Sequence, residues 1–289
     1  MLRLTVLIHT LILTLILLTG CQKKEQPAPP PEARSEQQLD TEYRAILAET
    51  GLYGGGTPIA PSQIEPAAYG QVLTVTAGHG STEMLVRLLG ARSDISLNDK
   101  IAGRTLLHSA AATLHATNSN LLLERGLDPN VQDNQGRTAL HLVVPQPDGV
   151  NLARLLLARG ARIDIRDEKG MTPLMSAAPA SIKLLVDKGA DLADQDANGN
   201  SALHWAVYRK AYETADSLIA LGIALNTQNS AGKTPLHHAV MLGDTKMVQL
   251  LIKAGAKTDI ADISGLSPLQ TAEKSGNKAI MELFKQPLP

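Results

Sequence analysis

From Gly232 to Ser264, apolar and polar positions follow two helical periods separated by a break. Leu236, Ala239 and Val240 share one face, Gly243 and Asp244 interrupt it, and Met247, Val248, Leu250, Leu251 and Ile252 supply a second apolar run. The pattern predicts two short helices. Thr234 stands as the N-cap of the first, with Pro235 at a position where a missing N–H costs nothing. Gly255 closes the second, since the residue past a helix end often needs φ > 0. A turn-rich segment then runs to Gly265.

The same pattern recurs along the chain. Units start at Gly103, Gly136, Gly170, Gly199, Gly232 and Gly265, at spacings of 33, 34, 29, 33 and 33 residues. The cap is Thr105, Thr138, Thr172, Ser201, Thr234 and Ser267 in turn, and the closing glycines are Gly126, Gly160, Gly189, Gly222 and Gly255. Isolated helices this short are marginal in water, so each unit must bury its apolar face on its neighbours. The unit from Gly170 is about one turn short. The loss falls between Ala177 and Lys183, and Pro179 at the join cannot continue an ordinary helix. Pro145 and Pro147 disturb the preceding unit at the same place. Unequal helix lengths and a local dip are therefore expected across residues 136–210, beside Trp205.

With TPLHHAV, TALHLVV, SALHWAV, TPLMSAA and the closing LLxxGA pieces in view, the array resembles the ankyrin-repeat family. The resemblance is specific over residues 103–289 and weak over 70–102, where Val72-Leu73-Thr74 stands in place of Thr-Pro-Leu. It implies an all-α repeat solenoid of stacked helix-turn-helix units with β-hairpin loops. The ankyrin-repeat domain then runs over 70–289: a degenerate first repeat 70–102, repeats 103–135, 136–169, 170–198, 199–231 and 232–264, and a C-terminal capping repeat 265–289. Family members meet protein partners through the hairpin tips and the exposed ends of the first helices, on the concave surface. Carried onto this chain, those positions are Lys100, Arg104, Asn134, Arg137, Glu168, Lys169, Asn200, Tyr208, Arg209, Lys233 and Met241. Tyr208 and Arg209 lead, because aromatic and arginine side chains dominate interface energetics. Six basic residues against one Glu point to an acidic protein partner.

Composition agrees with a core of small and aliphatic side chains: 44% hydrophobic but 2% aromatic. The formal net charge of −1 offers no basic footprint, so no nucleic acid is expected as a partner.

The amino terminus is of another kind. Arg3 precedes the apolar run LTVLIHTLILTLILL, and a polar, Pro-rich stretch follows. This reads as an export signal over 1–20, with a retained membrane span as the weaker alternative. Leu18-Thr19-Gly20-Cys21 resembles the lipobox of bacterial lipoproteins, and Cys21 is the chain's only cysteine. The resemblance implies lipid attachment at Cys21, hence a palmitate-bearing membrane anchor. By resemblance to Gram-negative lipoproteins, Gln22 after the cysteine implies sorting to the outer membrane, facing the periplasm, whereas a Gram-positive host would place the protein on the outer face of the plasma membrane. Residues 21–38, rich in Pro, Gln and charge, read as a disordered tether. Residues 39–69 hold an N-terminal helix, with Leu39, Tyr43, Ile46 and Leu47 on one face, and an irregular connection through Gly54-Gly55-Gly56 and Pro58, Pro61 and Pro66.

Little in the sequence signals chemistry. His108, His141, His204 and His237 recur once per unit, and units about 10 Å apart cannot converge on one metal ion. In the ankyrin family this histidine makes structural hydrogen bonds, with Met175 and Gln270 in its place in two units. Asp133, Asp167, Asp196, Asn229 and Asp262 each precede a starting glycine by three residues and read as turn formers. No nucleophile elbow or phosphate-cradling loop is present. No enzyme activity, cofactor, metal or small-molecule substrate is expected. The resemblance suggests a membrane-tethered periplasmic protein-binding scaffold. Narrower roles known among similar proteins are immunity against a type VI secretion lipase effector and, as the alternative, support of a catalase in oxidative stress. An uncharacterised envelope enzyme is the alternative of another class.

Overall fold

The computed structural model describes residues 34–52, 58–92 and 98–285. The signal 1–20, Cys21, the tether up to residue 33 and Gly54 to Gly56 lie outside the described residues. The chain divides after Ser35, and residues from Glu36 onward form one unit.

That unit opens with α1 (Glu36–Glu49), whose buried face is Leu39, Tyr43, Ile46 and Leu47. The helix begins three residues before Leu39, so Glu36 to Gln38 are helical rather than part of a tether. Gly51, with φ of 75°, ends it. Helices α2 (Pro66–His79) and α3 (Thr82–Ala91) form the degenerate repeat, and α2 starts before Gly70 because Pro66 sits in its first turn. α1 packs on both. Glu42 accepts hydrogen bonds from the Ser81 N–H and hydroxyl at 2.5 and 2.8 Å, and Arg87 of α3 pairs with Glu36 and Asp40 at 3.2 and 3.1 Å.

Five full units follow, as α4/α5 (Leu106–Ala112, Ala116–Glu124), α6/α7 (Ala139–Val143, Val150–Ala158), α8/α9 (Pro173–Ser176, Pro179–Asp187), α10/α11 (Ala202–Tyr208, Tyr212–Ala220) and α12/α13 (Pro235–Met241, Thr245–Lys253). The pair α14/α15 (Pro268–Ser275, Lys278–Phe284) ends the stack. First helices pack on first helices, and second helices largely on second. The core between them is aliphatic, with Leu107, Ala110, Leu140, Leu203, Ala206, Leu236 and Ala239 at most 1% exposed. No helix among the described residues is long and apolar enough to cross a membrane.

Helix lengths are unequal in an orderly way. The second helices of the five full units all have 9 residues, whereas the first have 7, 5, 4, 7 and 7. The deletion in the 170–198 unit therefore removes the end of the first helix and its turn. Thr172 lies seven positions before Pro179, while Ser201 lies eleven before Tyr212. Pro179 takes the first position of α9, where it starts a helix at no cost.

The expected β-hairpins are reduced to turns. No strand occurs among the described residues, only isolated bridges between Ile101 and Arg104 and between Gln195 and Ser201. Each turn between full units is tied by one wide N–H to carbonyl bond, as from Asp133 to Arg137 at 2.7 Å, and by one tight bond inside it, as from Gly136 to Asp133 at 3.0 Å. Beyond that pair the chain enters a helix, leaving no length for a ladder.

Candidate protein-binding face

The frame of the face is a row of buried histidines. His108, His141, His204 and His237 each accept the N–H of their own cap residue at Nδ1, at 3.0–3.2 Å. The proton is then on Nε2, which donates to the carbonyls of Arg137, Met171, Lys233 and Leu266 in the next unit at 2.9–3.1 Å. The cap hydroxyl completes the set at 2.8–3.0 Å. Burial holds all four imidazoles below their ordinary pKa, so they are neutral linkers between units. Where Met175 replaces the histidine, the buried Thr172 hydroxyl is left without a hydrogen-bond partner. The replacement thus leaves a gap that the sequence did not suggest. Gln270 leaves none: its Oε1 accepts the Ser267 N–H at 2.9 Å.

The turns interlock in the same direction. Oδ1 of Asp133 accepts the N–H groups of Gln135 and Arg137 at 2.9 Å each, and Oδ1 of Asp262 accepts those of Ser264 and Leu266 at 2.8 and 3.2 Å. Neighbouring tips are joined by backbone bonds, Glu168 N–H to the Gln135 carbonyl at 3.0 Å and Ile263 N–H to that of Ala231 at 3.2 Å. A Cβ on Gly136 would come within 2.6 Å of the Glu168 nitrogen, and φ there is 74°, so glycine is required twice over. Gln132, Arg166, Gln195 and Gln228 each donate to a carbonyl of their own turn and to one of the following turn.

Against this frame the eleven positions separate. Arg137 donates to Oδ2 of the buried Asp133 from Nε and Nη2 at 3.1 and 2.9 Å, and Arg104 lies 3.9 Å from the same oxygen. Lys233 sits 2.6 Å from the buried Asp262. Six bases against one Glu therefore overstated the positive charge, because buried frame carboxylates neutralise part of it. Asn200 is buried, linking Asp196 and Asn229, and is not an accessible contact. Arg209 donates to the Met175 carbonyl at 2.8 Å and lies over the Trp205 ring at 5.3 Å, covering the end of the shortened α8. Lys100, Asn134, Glu168 and Lys169 are exposed on or beside the tips. Tyr208 and Met241 are the exposed apolar members, at 44% and 57%.

Two clefts lie between the tips and the first helices. One, of about 440 Å³, is of mixed character, with the charged and polar Arg104, Asp133, Asn134 and Arg137 beside Ile101 and Ala102. The other, of about 380 Å³, is lined by Tyr208, Asn229, Ala231, Lys233, His238, Met241 and Leu242. Its floor is the His238 ring, packed 4.6 Å from Tyr208 and 5.5 Å from His204. Asn229 Oδ1 accepts two backbone N–H groups, so its Nδ2 faces His238 Nε2 at 3.1 Å and the ring proton lies on Nδ1. Burial first, then His204 and Lys233, lower the His238 pKa to about 4.

Sequence reasoning missed His238, Leu242 and Ile263. Their signals were present: His238 follows the linking histidine where other units have Ser109, Leu142, Ser176 and Trp205. Ile263 is a large apolar residue, 79% exposed, at a tip where others carry Asn134, Glu168, Ala197 and Ser230.

A family model for ankyrin repeats matches residues 73–167, 146–229 and 213–287 as three copies. The chain belongs to the ankyrin-repeat family. Among similar proteins, neurogenic locus notch homolog protein 1 of Xenopus laevis is 32% identical over 190 residues, which are 62% of this chain and 7% of that protein. The Mus musculus protein of the same name is 37% identical over 124 residues, 41% of this chain and 5% of that one. The chain thus spans a small fraction of these relatives. The crystallised ankyrin-repeat domain of Bcl-3 superposes with a TM-score of 0.64 at 25% identity, covering 74% of this chain and 97% of that one. An ankyrin-repeat domain from Acinetobacter baumannii AYE gives 0.55 at 31% identity, covering 61% and 94%. Ankyrin-repeat domains are generally non-catalytic modules that bind protein partners. Among the described residues, no cluster of three or more His, Cys, Asp or Glu is placed to hold a metal ion.

Proposed function

We propose that this ankyrin-repeat protein is a lipid-anchored, protein-binding scaffold of a bacterial envelope, docking its partner on the face made by the hairpin turns and first helices. The observation that carries the docking face is the concentration of exposed Tyr208, Met241 and Leu242 around one cleft between those elements. The lipobox-like Leu18 to Cys21 supports the anchor, and Gln22 supports an outer-membrane position facing the periplasm. The similarity to an ankyrin-repeat domain from Acinetobacter baumannii AYE supports a bacterial setting. An acidic partner keeps support at one end, where Arg104 and Lys100 are exposed beside a single buried Asp133.

The anchor is tested by labelled palmitate, which should enter the wild type and not Cys21→Ser. Processing and membrane sedimentation of Cys21→Ser like the wild type would overturn it. The narrower role is that of an immunity protein against a secreted lipase. It predicts a lipase gene beside this one, whose product loses its activity on adding the purified chain; full lipase activity at equimolar chain, or no such neighbouring gene, would remove that role.

A further inference from the structure

We infer that recognition is centred on repeats 199–264, where the partner inserts one uncharged aromatic or branched aliphatic side chain between Tyr208, Met241 and Leu242. This rests on the scaffold reading and narrows it to a partner of stated chemistry: an extended segment with an apolar anchor, in place of an acidic one.

The charges around the cleft cancel. Lys233, the cation on its wall, is held 2.6 Å from the buried Asp262. A partner carboxylate would have to share Lys233 with Asp262, whose other oxygen is held by Ser264 and Leu266, so the cation is already largely neutralised and offers little to an acidic group. The floor is a neutral imidazole fixed from three sides by Tyr208, His204 and Asn229. An apolar group loses nothing on entering such a site and removes three exposed large hydrophobic residues from water. Ile263, on the adjoining tip, widens the apolar surface.

The backbone offers no alternative mode here. The tip N–H groups of Ser230 and Ile263 are bonded to the carbonyls of Asn198 and Ala231. The turns thus present no free edge between these units for a partner strand, and side chains must supply the specificity. A volume of about 380 Å³ lies at the small end of ligand sites, matching a side chain anchor better than a cofactor. Exposed Met241 can adjust to the anchor's shape, as methionine does at adaptable surfaces.

A random-peptide library displayed on phage, selected on the immobilised full-length chain, tests this. Enriched peptides should share one uncharged aromatic or branched aliphatic position. By fluorescence anisotropy they should bind Met241→Glu and, separately, Tyr208→Ser about tenfold more weakly or worse. They should bind the double variant Lys100→Glu, Arg104→Glu as they bind the wild type. Both cleft side chains are exposed, and an unchanged thermal midpoint by circular dichroism checks their folding. Acidic peptides lost with Arg104→Glu and indifferent to Met241→Glu would overturn the apolar anchor while sparing the scaffold reading. Failure to enrich any peptide sensitive to either set would overturn both.

Discussion

The residue that does most to join one unit to the next is the histidine three places after each cap. Its neutral ring satisfies a cap N–H, a cap hydroxyl and a carbonyl of the neighbouring unit together. The price appears in acid. His108, His141, His204 and His237 are lowered by burial, and His238 is lowered to about 4. Below about pH 6.5 the unfolded chain takes up protons that the folded chain refuses. Each such group thus contributes stability that is intact above the unfolded pKa and lost as the pH falls toward the folded one. The urea midpoint should therefore drop between pH 8 and pH 5, and equal midpoints would show that these rings are not held neutral. The recurrence of this histidine was legible in the sequence, because a once-per-unit position argues for structure. Its partners were not, since the acceptor carbonyl lies in the next unit. The same blindness affected the charge of the face. Arg137 and Lys233 read as free tip cations until the buried Asp133 and Asp262 were seen beneath them. Glutamate at either position would set two carboxylates against each other, so Arg137→Glu and Lys233→Glu should lower the thermal midpoint rather than act only on binding.

At the scale of elements, the unit 170–198 departs from the rest in two ways that reinforce each other. Its first helix has 4 residues, and Met175 removes the histidine link, leaving the Thr172 hydroxyl buried and unpaired. Arg209 from the next unit and the bond from Ala178 N–H to the Val144 carbonyl hold what remains. Met175→His should restore the missing bonds and stabilise the chain by about 1 kcal/mol in urea unfolding, whereas His141→Met should cost about 1–3 kcal/mol by copying the defect. No gain from Met175→His would mean that the shortened helix, not the missing ring, sets the local stability. Amides of Ala177 and Ala178 should also exchange with deuterium faster than those of Val207 and Tyr208 in the full-length α10. The 29-residue spacing announced the deletion, and Pro179 marked its place. Which helix would lose the turn was not legible, because a proline that forbids a helix interior is equally suited to a helix start, and only packing decides between them.

For the whole molecule, period and capping determined the repeat frame, since caps, closing glycines and apolar faces all repeat together. Binding surfaces repeat in position but not in chemistry, so the register could point to Tyr208 and Met241 while missing His238, Leu242 and Ile263, because the cleft forms only where Tyr208 of one unit meets the first helix of the next. The central claim is that a protein partner sits on the hairpin-and-first-helix face at repeats 199–264. Its most direct measurement is photo-crosslinking in the native envelope, with a benzophenone amino acid placed at Met241 or, on the second helix α9, at the exposed Lys183. The account predicts a specific adduct from position 241 and none from 183. An adduct from 183 with none from 241 would contradict it.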